Sequence, residues 1–439
     1  MNFTIKTIGC KVNTYESNKI RDDLIKSGFN YIDVDKKDEY KNLDFYIVNT
    51  CSVTSIADKK SRQMLHLAKK YNPDAKVIAI GCLVDSCDSL DGVDYKFSNS
   101  EKLNLPTFLF SIADNDVAPS AINDRVSTTT VRAFIKIQDG CDEYCTYCLI
   151  PYLRGHVKSR EEDNIIEDIK GYIKKGTKEI VLTGIHLSSY GLDKKKMSYE
   201  SDNAINESRK NILSLTKKIA DLKVLVDGVE KEILRIRFGS LEPRIIDERF
   251  LETLKNDMNN KFCPNFCLSL QSGSDKILKL MNRHYTTEDF ENACKLIRKY
   301  MPDATITTDI IVGFPGETEE DFNDSLNFVK KIRFYNPNVF PYSKRAGTKA
   351  ASFDGQLTNS EKHERSVAMI KECDEISREL EKELIGGNIE TYDIDKSIVK
   401  NVKVGNIIDD VLIEEIVENE DGNFAVGYTK NYIRKKIKI

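Results

Sequence analysis

The stretch FIKIQDGCDEYCTYCLIPYLRG, residues 134–155, decides how this chain is interpreted. It holds three cysteines in a C-x3-C-x2-C pattern, Cys141, Cys145 and Cys148, directly after a predicted strand, Phe134–Gln138. Three thiolates with no fourth ligand nearby suit a [4Fe-4S] cluster that keeps one iron open. A structural zinc site closes its tetrahedron with four ligands, usually in C-x2-C pairs, so zinc fits this spacing poorly. A zinc knuckle and three buried cysteines remain as alternatives.

This triplet resembles that of the radical S-adenosylmethionine (SAM) enzymes. In those enzymes the open iron binds the amino and carboxylate groups of SAM. They also have an aromatic residue just before the last cysteine, as Tyr147 is here. The resemblance therefore implies a cluster and SAM as cofactors, with a partial (β/α)6 barrel as the fold.

The composition indicates a large protein of the reducing cytoplasm. At 439 residues the chain is long enough for two or three domains. It has no apolar run of membrane-spanning length and no secretory signal at its N-terminus, so we expect a cytoplasmic protein with no membrane contact. Eleven cysteines in such a compartment serve as ligands, catalysts or small core residues. The net charge of -4 means that any RNA contact must be local.

The order of strand-like and helix-like segments predicts an α/β protein in two parts. The N-terminal part has predicted helices at 14–27 and 57–71 and strands at Phe3–Ile8, Phe45–Val48 and Val77–Ile80, which favour a parallel sheet. After a polar linker, Asp114–Thr130, strand and helix alternate again, with helices at 160–174, 211–226 and 317–331. Six strands are predicted there, at Phe134–Gln138, Glu179–Thr183, Ile233–Phe238, Phe266–Leu270, Thr305–Val312 and Asn338–Phe340. The spacing does not separate a barrel from an open sheet; the resemblance favours the barrel.

Three further segments have their own predictions. Asp193–Lys210 is polar and lacks an apolar period, so it is predicted to be disordered or lid-like, or else a solvated loop. A long helix is predicted at Ser360–Ile385. Residues 389–439 contain alternating runs such as VLIEEIV and NFAVGYT, which predict a small antiparallel barrel.

A second set of cysteines, Cys10, Cys51 and Cys82, is scattered along the sequence, yet each follows a predicted strand. Loops at the carboxyl ends of parallel strands meet at one edge of the sheet, so the three thiolates are expected to converge. Glycines precede Cys10 and Cys82 and let the backbone turn around a bulky group. The residues therefore predict a second three-thiolate cluster. Buried core cysteines are the alternative, and Cys87 is a rival ligand.

With this second set, the chain resembles the radical SAM methylthiotransferases over nearly its whole length. TIGCKVNTYES is similar to the MtaB-type branch, which modifies N6-threonylcarbamoyladenosine beside the tRNA anticodon, at position 37. The family's other signature runs are matched by LSLQSGSDKILKLMNRHY, TDIIVGFPGETEEDF, PYSKRAGTKA and GYTKNYI. Two departures are GCLVD, where the family usually has Gln after the third cysteine, and a longer, more polar loop after GLD. The implied domains are an N-terminal methylthiotransferase domain (1–115), a radical SAM barrel (130–375) and a TRAM-like RNA-binding barrel (380–439).

The resemblance implies a radical reaction at C2 of adenine, because no side chain deprotonates such a C-H at neutral pH. The cluster at Cys141, Cys145 and Cys148 passes an electron to SAM, and SAM cleavage gives the radical that abstracts hydrogen. The cluster at Cys10, Cys51 and Cys82 carries the sulfur, and another SAM supplies the methyl group. Both clusters are then required to face one cavity. The implied partners are tRNA and a reducing electron donor, and we expect a monomer.

Candidate SAM contacts lie at two turns. By resemblance, Thr183 and Gly184 end the second barrel strand where related enzymes meet the methionine moiety, and Gly313 in GFPGE follows the fifth strand. Ordinary turn formation and close packing are the alternatives. His186 is interpreted as a loop histidine, since no step requires imidazole. The four remaining cysteines are interpreted as core residues: Cys263, Cys267, Cys294 and Cys373.

Candidate RNA contacts lie in the last ten residues, which contain five basic side chains and no acidic one. The basic residues with the tyrosine between them suit phosphates and base stacking; the predicted contacts are Lys430, Tyr432, Arg434, Lys435 and Lys436. The preceding residues, 380–429, are rich in acids, so only one edge of the barrel is expected to bind RNA. A solvated strand is the alternative.

Other functions remain open at this point. Within the same chemistry, the alternatives are the isopentenyladenosine-specific tRNA enzyme and the enzyme that modifies a ribosomal protein. A different class is a non-catalytic iron-sulfur protein that carries electrons or senses redox state, for which four-thiolate clusters would be expected. A third class is an RNA-binding protein stabilised by zinc.

Overall fold

The computed structural model describes residues 1–34, 36–87, 89–113, 130–385, 402–408, 410–419 and 422–439. The described chain divides into two compact units. The first unit comprises Met1–Thr128, Asp139–His156 and Ser343–Ala351. The second unit comprises Thr129–Gln138, Val157–Tyr342 and Ser352–Ile439. The predicted linker at 114–129 lies outside the described residues.

The first unit is built on a five-stranded parallel sheet. Its strands, in the order β2-β1-β3-β4-β5, are β1 (Asn2–Thr7), β2 (Asn30–Tyr31), β3 (Phe45–Thr50), β4 (Lys76–Gly81) and β5 (Tyr95–Phe97). Its helices are α1 (Lys11–Lys26), α2 (Ser55–Tyr71), α3 (Cys82–Ser86), α4 (Leu105–Ile112) and, in the cysteine loop, α5 (Ile150–Arg154). The predicted strands and helices of this part are confirmed, with ends that differ by a few residues.

Alternation along β3 explains why helices cover both faces of this sheet. Tyr46 and Val48 pack in one apolar cluster with Leu65 of α2. Phe45 and Ile47 point to the opposite face and join a cluster with residues of α1 and α4. Because successive strand residues face opposite sides, a strand that is apolar at every position is buried on both faces. The sheet is therefore enclosed, and its loops remain available at the strand ends.

The second unit contains the predicted barrel, as parallel strands in sequential order. The strands are β6 (Arg132–Lys136), β9 (Glu179–Thr183), β12 (Arg235–Phe238), β13 (Ser240–Leu241), β14 (Asn265–Gln271), β15 (Thr305–Val312) and β16 (Asn338–Pro341). Only Gly239 separates β12 from β13, and an isolated bridge joins Ile236 to Phe262. If β12 and β13 are counted as one strand, the unit has six parallel strands in sequence order. The short strands β7 (Gln138–Asp139) and β8 (Lys158–Ser159) flank the cysteine loop in sequence.

Helices alternate with these strands and supply the rest of the core. They are α6 (Glu162–Lys174), α7 (Asp202–Ala220), α8 (Glu248–Asn256), α9 (Asp275–Leu280), α10 (Thr287–Tyr300), α11 (Glu319–Ile332) and α12 (Asn359–Ile385). One large apolar cluster runs through the unit from Ala133 of β6 to Ile376 of α12. The predicted mixed α/β class with a partial (β/α)6 barrel is confirmed.

Two predictions for residues 193–226 were wrong. The segment Asp193–Lys210 is ordered: α7 begins at Asp202, the Ser201 hydroxyl caps it by accepting from the Ala204 amide, and Ala204 is fully buried. The apolar residues that anchor it are irregularly spaced, which is why no period was visible; they are Leu192, Met197, Tyr199, Ala204 and Ile205.

The predicted helix 211–226 ends early. After α7 the chain forms a hairpin of β10 (Lys223–Val226) and β11 (Val229–Glu232). Its turn is Asp227-Gly228, and both residues have positive φ angles, 53° and 79°. Asp-Gly is a favoured pair for a tight two-residue hairpin turn, so this strand signal was present in the sequence and was overlooked.

The C-terminal strands form an antiparallel sheet, as predicted from the VLIEEIV and NFAVGYT runs. They are β17 (Ile407–Ile408), β18 (Val411–Asn419), β19 (Gly422–Tyr428) and β20 (Arg434–Lys438), paired in that order. Residues 386–401 of the predicted barrel lie outside the described residues. Within the described part of the chain, no helix is long and apolar enough to cross a membrane.

A buried ion cluster attaches this sheet to the barrel strands of the same unit. Glu179 accepts from Arg132 Nε at 2.5 Å and from Arg237 Nε at 3.0 Å. Arg132 also pairs with Glu414 of β18. Burial alone would raise the pKa of Glu179, but the charges of Arg237 and Arg132 hold it below its usual value.

Candidate functional site

The second cysteine set converges as predicted, at the carboxyl ends of three adjacent strands. In the sheet, β1 pairs with β3 and β3 pairs with β4, all in parallel. Cys51 and Cys82 directly follow β3 and β4, and Cys10 follows β1 as the residue that caps α1. Cys51 and Cys82 are buried, whereas Cys10 is exposed. The trio therefore lies at one edge of the sheet with an open side at Cys10.

Polar side chains fasten these three loops to one another. Asn13 Nδ2 donates to the carbonyl oxygens of Ile8 at 2.8 Å and Thr50 at 3.1 Å, which joins the first loop to the second. Ser52 Oγ donates to the Cys82 carbonyl oxygen at 3.1 Å, which joins the second loop to the third. The relative positions of the three sulfurs are thus fixed by hydrogen bonds as well as by the sheet.

Gly9 allows the first loop to pass directly against Cys51. Its φ angle is +110°, and a Cβ atom built there would lie 2.9 Å from Cys51 Cβ and 3.1 Å from Cys51 Sγ. An L side chain at this position would meet both the strained backbone and the sulfur. The sequence predicted that glycine lets the backbone turn beside the trio. In the structure, Gly9 is required because its backbone lies directly against the Cys51 side chain.

The members of each trio act on one another electrostatically. Burial, together with the neighbouring thiolates at Cys82 and Cys10, raises the pKa of the Cys51 thiol to about 11. Burial likewise raises the pKa of Cys141, with added contributions from Cys145 and Cys148. Such thiols deprotonate when a metal binds, because coordination stabilises the thiolate.

The rival ligand, Cys87, has other contacts. Its Sγ atom donates to the Leu83 carbonyl oxygen at 3.2 Å, and its side chain packs against the apolar cluster around α2. Among the described residues, no group of three or more His, Cys, Asp or Glu side chains is arranged to hold a single metal ion.

The first cysteine trio lies on a loop with its own backbone scaffold. The Cys141 amide donates to the Gly155 carbonyl oxygen at 3.0 Å, which closes the loop between them. The Cys148 amide donates to the Cys145 carbonyl oxygen at 3.0 Å. The Ile150 amide points at Cys148 Sγ, 3.4 Å away. The three cysteines and Tyr147 are each half-buried.

Arg154 connects the two trios within the first unit, and sequence reasoning gave it no role. Its guanidinium donates to Asp139 at 3.0 Å, two residues before Cys141. It also donates to Asn13 Oδ1 at 2.7 Å and to Glu16 at 3.2 Å, both on the helix that Cys10 caps. The Arg154 and Glu16 side chains are each 1% exposed. One buried cation thus fixes the loop of the first trio against the loop of the second.

Lys102 and Asn99 extend this buried network to Cys82. Lys102 Nζ lies 2.5 Å from Glu16 Oε2 and donates to Asn99 Oδ1 at 2.8 Å. Asn99 Nδ2 in turn lies 3.5 Å from Cys82 Sγ. Arg154 and Lys102 share the Glu16 carboxylate, and Arg154 also binds Asp139, so the two cations of this network are matched by two carboxylates. The spacing of Asn13 and Glu16, three residues apart on one helix face, was the available sequence signal.

The candidate SAM residues belong to the second unit, and their glycines have packing roles. Thr183 ends β9 and is buried. A Cβ atom at Gly184 would lie 2.7 Å from Gln138 Oε1, which accepts from the His186 amide at 2.8 Å. A Cβ atom at Gly313 would lie 2.6 Å from the side chain of Lys362.

His186 is held neutral inside the second unit. Its Nδ1 atom is 2.6 Å from Ser189 Oγ, its ring meets Tyr199 edge-on, and its Nε2 atom is buried without a hydrogen-bond partner. Burial, together with the charges of Arg283 and Arg244, lowers the pKa of His186 to about 3. It is therefore a structural histidine, as its interpretation as a loop residue without a base role anticipated.

This lowered pKa predicts a pH effect on stability. Below about pH 6.5 the His186 imidazole is protonated in the unfolded chain but stays neutral in the folded protein. Its contribution to stability is therefore fully present above that pH and is lost as the pH falls toward 3. Between pH 6.5 and pH 5 this group is expected to cost about 1.6 kcal/mol of stability. Urea denaturation of wild type and His186→Gln at both pH values measures it. Equal losses in the two proteins would contradict the prediction.

At least four of the five predicted RNA contacts are engaged within the second unit. The Tyr432 ring stacks on Tyr428 with centroids 4.4 Å apart, and the Arg237 guanidinium carbon lies 3.5 Å from the Tyr432 centroid. Lys430 Nζ donates to Asn260 Oδ1 at 2.6 Å. On β20, Arg434 donates to Glu415 Oε1 at 3.0 Å and Lys436 Nζ lies 3.8 Å from the Phe424 ring centroid, and Lys435 lies between them.

The remaining cysteines are core residues, as predicted. All four are buried: Cys263, Cys267, Cys294 and Cys373. Burial raises the pKa of Cys263 to about 12, which fits an inert, protonated thiol.

Comparison with known proteins agrees with this architecture. Residues 135–329 match the Radical SAM superfamily, and residues 2–90 match Uncharacterized protein family UPF0004. The chain is 32% identical, over 98% of its length and 88% of the relative's, to Threonylcarbamoyladenosine tRNA methylthiotransferase MtaB of Bacillus subtilis. It is 33% identical, over 100% of its length and 96% of the relative's, to tRNA-2-methylthio-N(6)-dimethylallyladenosine synthase of Endomicrobium trichonymphae. The chain belongs to the radical SAM methylthiotransferase family.

A solved structure supports the fold of this methylthiotransferase. The radical S-adenosylmethionine methyltransferase TsrM of Kitasatospora setae, with cobalamin and a [4Fe-4S] cluster bound, superposes with a TM-score of 0.55. The two proteins are 15% identical, and the match covers 80% of this chain and 76% of that one. The methylthiotransferase is an enzyme that uses SAM and [4Fe-4S] clusters. The donor set of each trio, three cysteines, fits such a cluster, and the rival ligand Cys87 donates its thiol to the Leu83 carbonyl oxygen instead.

Proposed function

We propose that the enzyme converts N6-threonylcarbamoyladenosine at position 37 of tRNA, beside the anticodon, to its 2-methylthio derivative. Two relatives with this named activity support the proposal, from Bacillus subtilis at 32% identity and from Aquifex aeolicus at 34%. The structural observation that carries it is the membership of both cysteine trios in one compact unit, joined through Arg154. A sulfur-transferring and a radical-generating centre must act on one adenosine, so such a connection is what the reaction requires.

In this proposal each trio holds one [4Fe-4S] cluster. The ligands are Cys141, Cys145 and Cys148 for the first and Cys10, Cys51 and Cys82 for the second. When bound, the clusters and SAM supply the radical, the sulfur and the methyl group. The protein's own residues position the loops that carry the sulfurs: Asn13 and Ser52 fix the loops of the second trio, and Arg154 joins that trio's first loop to the loop of the first trio.

The remaining assignments of this proposal concern cofactor and RNA contacts. SAM contacts are assigned to Tyr147, Thr183, Gly184 and Gly313. RNA contacts of the C-terminal domain are assigned to Lys430, Tyr432, Arg434, Lys435 and Lys436. The domains are those expected above, 1–115, 130–375 and 380–439, the last one TRAM-like. The enzyme works as a cytoplasmic monomer with a reducing electron donor.

Nucleoside analysis tests the substrate. Mass spectrometry of tRNA nucleosides from cells lacking the gene is expected to show loss of 2-methylthio-N6-threonylcarbamoyladenosine and its return on complementation. Unchanged levels of this nucleoside would defeat the proposal. The relative from Endomicrobium trichonymphae makes the dimethylallyladenosine enzyme the second candidate, and loss of that 2-methylthio nucleoside instead would select it.

Iron analysis tests the two trios. The Cys10→Ala, Cys51→Ala, Cys82→Ala triple variant is expected to bind half the iron and sulfide of the wild type after anaerobic reconstitution, since each cluster holds about four irons. It is also expected to keep cleaving SAM to 5'-deoxyadenosine. The matched Cys141→Ala, Cys145→Ala, Cys148→Ala variant should bind the same half and lose SAM cleavage. Full iron in the first variant would exclude a second cluster, and no SAM cleavage by the loaded wild type would favour an electron carrier.

A further inference from the structure

The first unit carries a positive face on helix α2 that the proposed function has not used. Residues 55–71 contain five Lys and Arg against one Asp, and residues 343–351 add three more with no acid. The whole chain has a net charge of -4, so this concentration is local. A single-sign surface of this kind attracts a partner of opposite charge.

The exposed residues of α2 form one stripe along the helix. They recur at helical spacing: Ile56, Lys59, Gln63, His66 and Lys70. Lys60 is exposed beside this stripe, while Leu65 and Ala68 face the core. At about 1.5 Å per residue the stripe is about 21 Å long, enough to follow several phosphates of one strand.

A cleft of about 400 Å³ opens beside this stripe. Its lining holds three Lys and Arg side chains against one carboxylate and consists of Ser55, Asp58, Lys59, Arg62, Gln63, His66 and Arg345. Asp58 accepts from Arg62 Nε at 2.8 Å and from Arg345 at 3.0 Å. Two guanidiniums on one carboxylate leave a net positive charge with further N–H donors, an arrangement suited to phosphate oxygens.

The stripe begins next to the second cysteine trio. Helix α2 starts four residues after Cys51, and the residues between carry exposed apolar side chains, with Val53 39% and Ile56 70% exposed. Ser343 joins the basic segment to this start, since the Ser55 amide donates to Ser343 Oγ at 3.0 Å. A strand with one base at the cysteine trio would place its neighbouring phosphates along α2.

We propose that this face, with Lys59, Lys60, Lys70 and Lys344 around the cleft, binds the sugar-phosphate backbone of the tRNA anticodon arm beside the target adenosine. The inference deepens the proposed function and rests on RNA being the substrate. Lysines on flexible stems suit phosphates as point charges. The face also supplies an RNA contact in the first unit. In the second unit, the C-terminal candidates Tyr432 and Lys430 are already engaged with other residues of that unit.

The test compares two double charge reversals in the full-length, cluster-loaded protein. Lys59→Glu with Lys60→Glu changes the face; Lys26→Glu with Lys41→Glu makes the same charge change at exposed lysines elsewhere in the first unit. Anisotropy of a labelled synthetic anticodon stem-loop is measured over a range of KCl concentrations. The face variant is expected to bind about tenfold more weakly or worse, with the slope of log affinity against log salt smaller by about 2. The control should stay within about twofold of wild type.

A face variant that binds the stem-loop like the control would overturn the inference. So would unchanged RNA binding together with lost binding of polyglutamate, which would indicate an acidic protein partner instead. At saturating RNA the face variant is expected to keep its methylthiolation rate, with the loss confined to KM. If the wild type binds the stem-loop and makes no methylthio product, the substrate proposal fails, while the binding comparison still decides the role of the face.

Discussion

Replacing Arg154 with methionine is expected to lower the free energy of unfolding by about 3 kcal/mol or more. The side chains of Arg154 and Glu16 are each 1% exposed, and Arg154 also bonds Asn13 and Asp139. Removing the cation leaves buried acceptors without their donor, which costs more than the pair itself contributes. Urea denaturation of the metal-free protein measures the loss.

The matched control for this prediction is Arg21→Met in the same unit. The Arg21 side chain is 17% exposed and makes one long ion pair, with its neighbour Asp22 at 3.4 Å, so its removal is expected to cost about 1 kcal/mol, less than the loss at Arg154. Arg154→Lys should fall between the two, since lysine keeps the charge and loses the planar fork. Because Arg154 touches the loops of both trios, Arg154→Met is also expected to lower iron binding at each. If the Arg154→Met and Arg21→Met variants were equally stable, the role of Arg154 in joining the loops of the two trios would be refuted.

The second large effect is expected at Gly140, just before Cys141. Its φ angle is +69°, and a Cβ atom there would lie 1.9 Å from the His156 carbonyl oxygen. An alanine side chain at this position would push the chain at His156 away. It would also break the 3.0 Å hydrogen bond that the Cys141 amide donates to the Gly155 carbonyl oxygen. Gly140→Ala is therefore expected to lose the first cluster, and with it half of the iron and all SAM cleavage, while the second cluster remains.

Gly155→Ala separates the collision from backbone strain. Gly155 has nearly the same φ angle, +72°, but a Cβ atom there would meet nothing within 4 Å. Its substitution is expected to cost only the backbone strain of placing a side chain at a φ of +72° and a ψ of −161°, about 1 to 3 kcal/mol, and to leave both clusters in place. Iron content and 5'-deoxyadenosine assays on the two variants give the comparison. A Gly140→Ala protein that cleaves SAM as Gly155→Ala does would contradict the account.

Local sequence patterns predicted most of the fold because they depend on near neighbours. The apolar runs predicted the strands β9 and β15 with the same ends that the structure shows, Glu179–Thr183 and Thr305–Val312. The segment 193–210 was misjudged because its apolar residues bury against one another without a regular period. The Asp227-Gly228 hairpin was missed although its turn signal was present.

The sequence by itself determined the cysteine chemistry of this enzyme: the ligand count and spacing of Cys141, Cys145 and Cys148, and the positions of Cys10, Cys51 and Cys82 after strands. These features are local, or follow from the rule that parallel strands end at one edge. Only the tertiary structure decided that Arg154 meets Glu16, 138 residues away in the chain, and that Tyr432 stacks on Tyr428 beside Arg237. The physical reason is that partners of buried charges and rings are chosen by packing between distant segments, which no local pattern records.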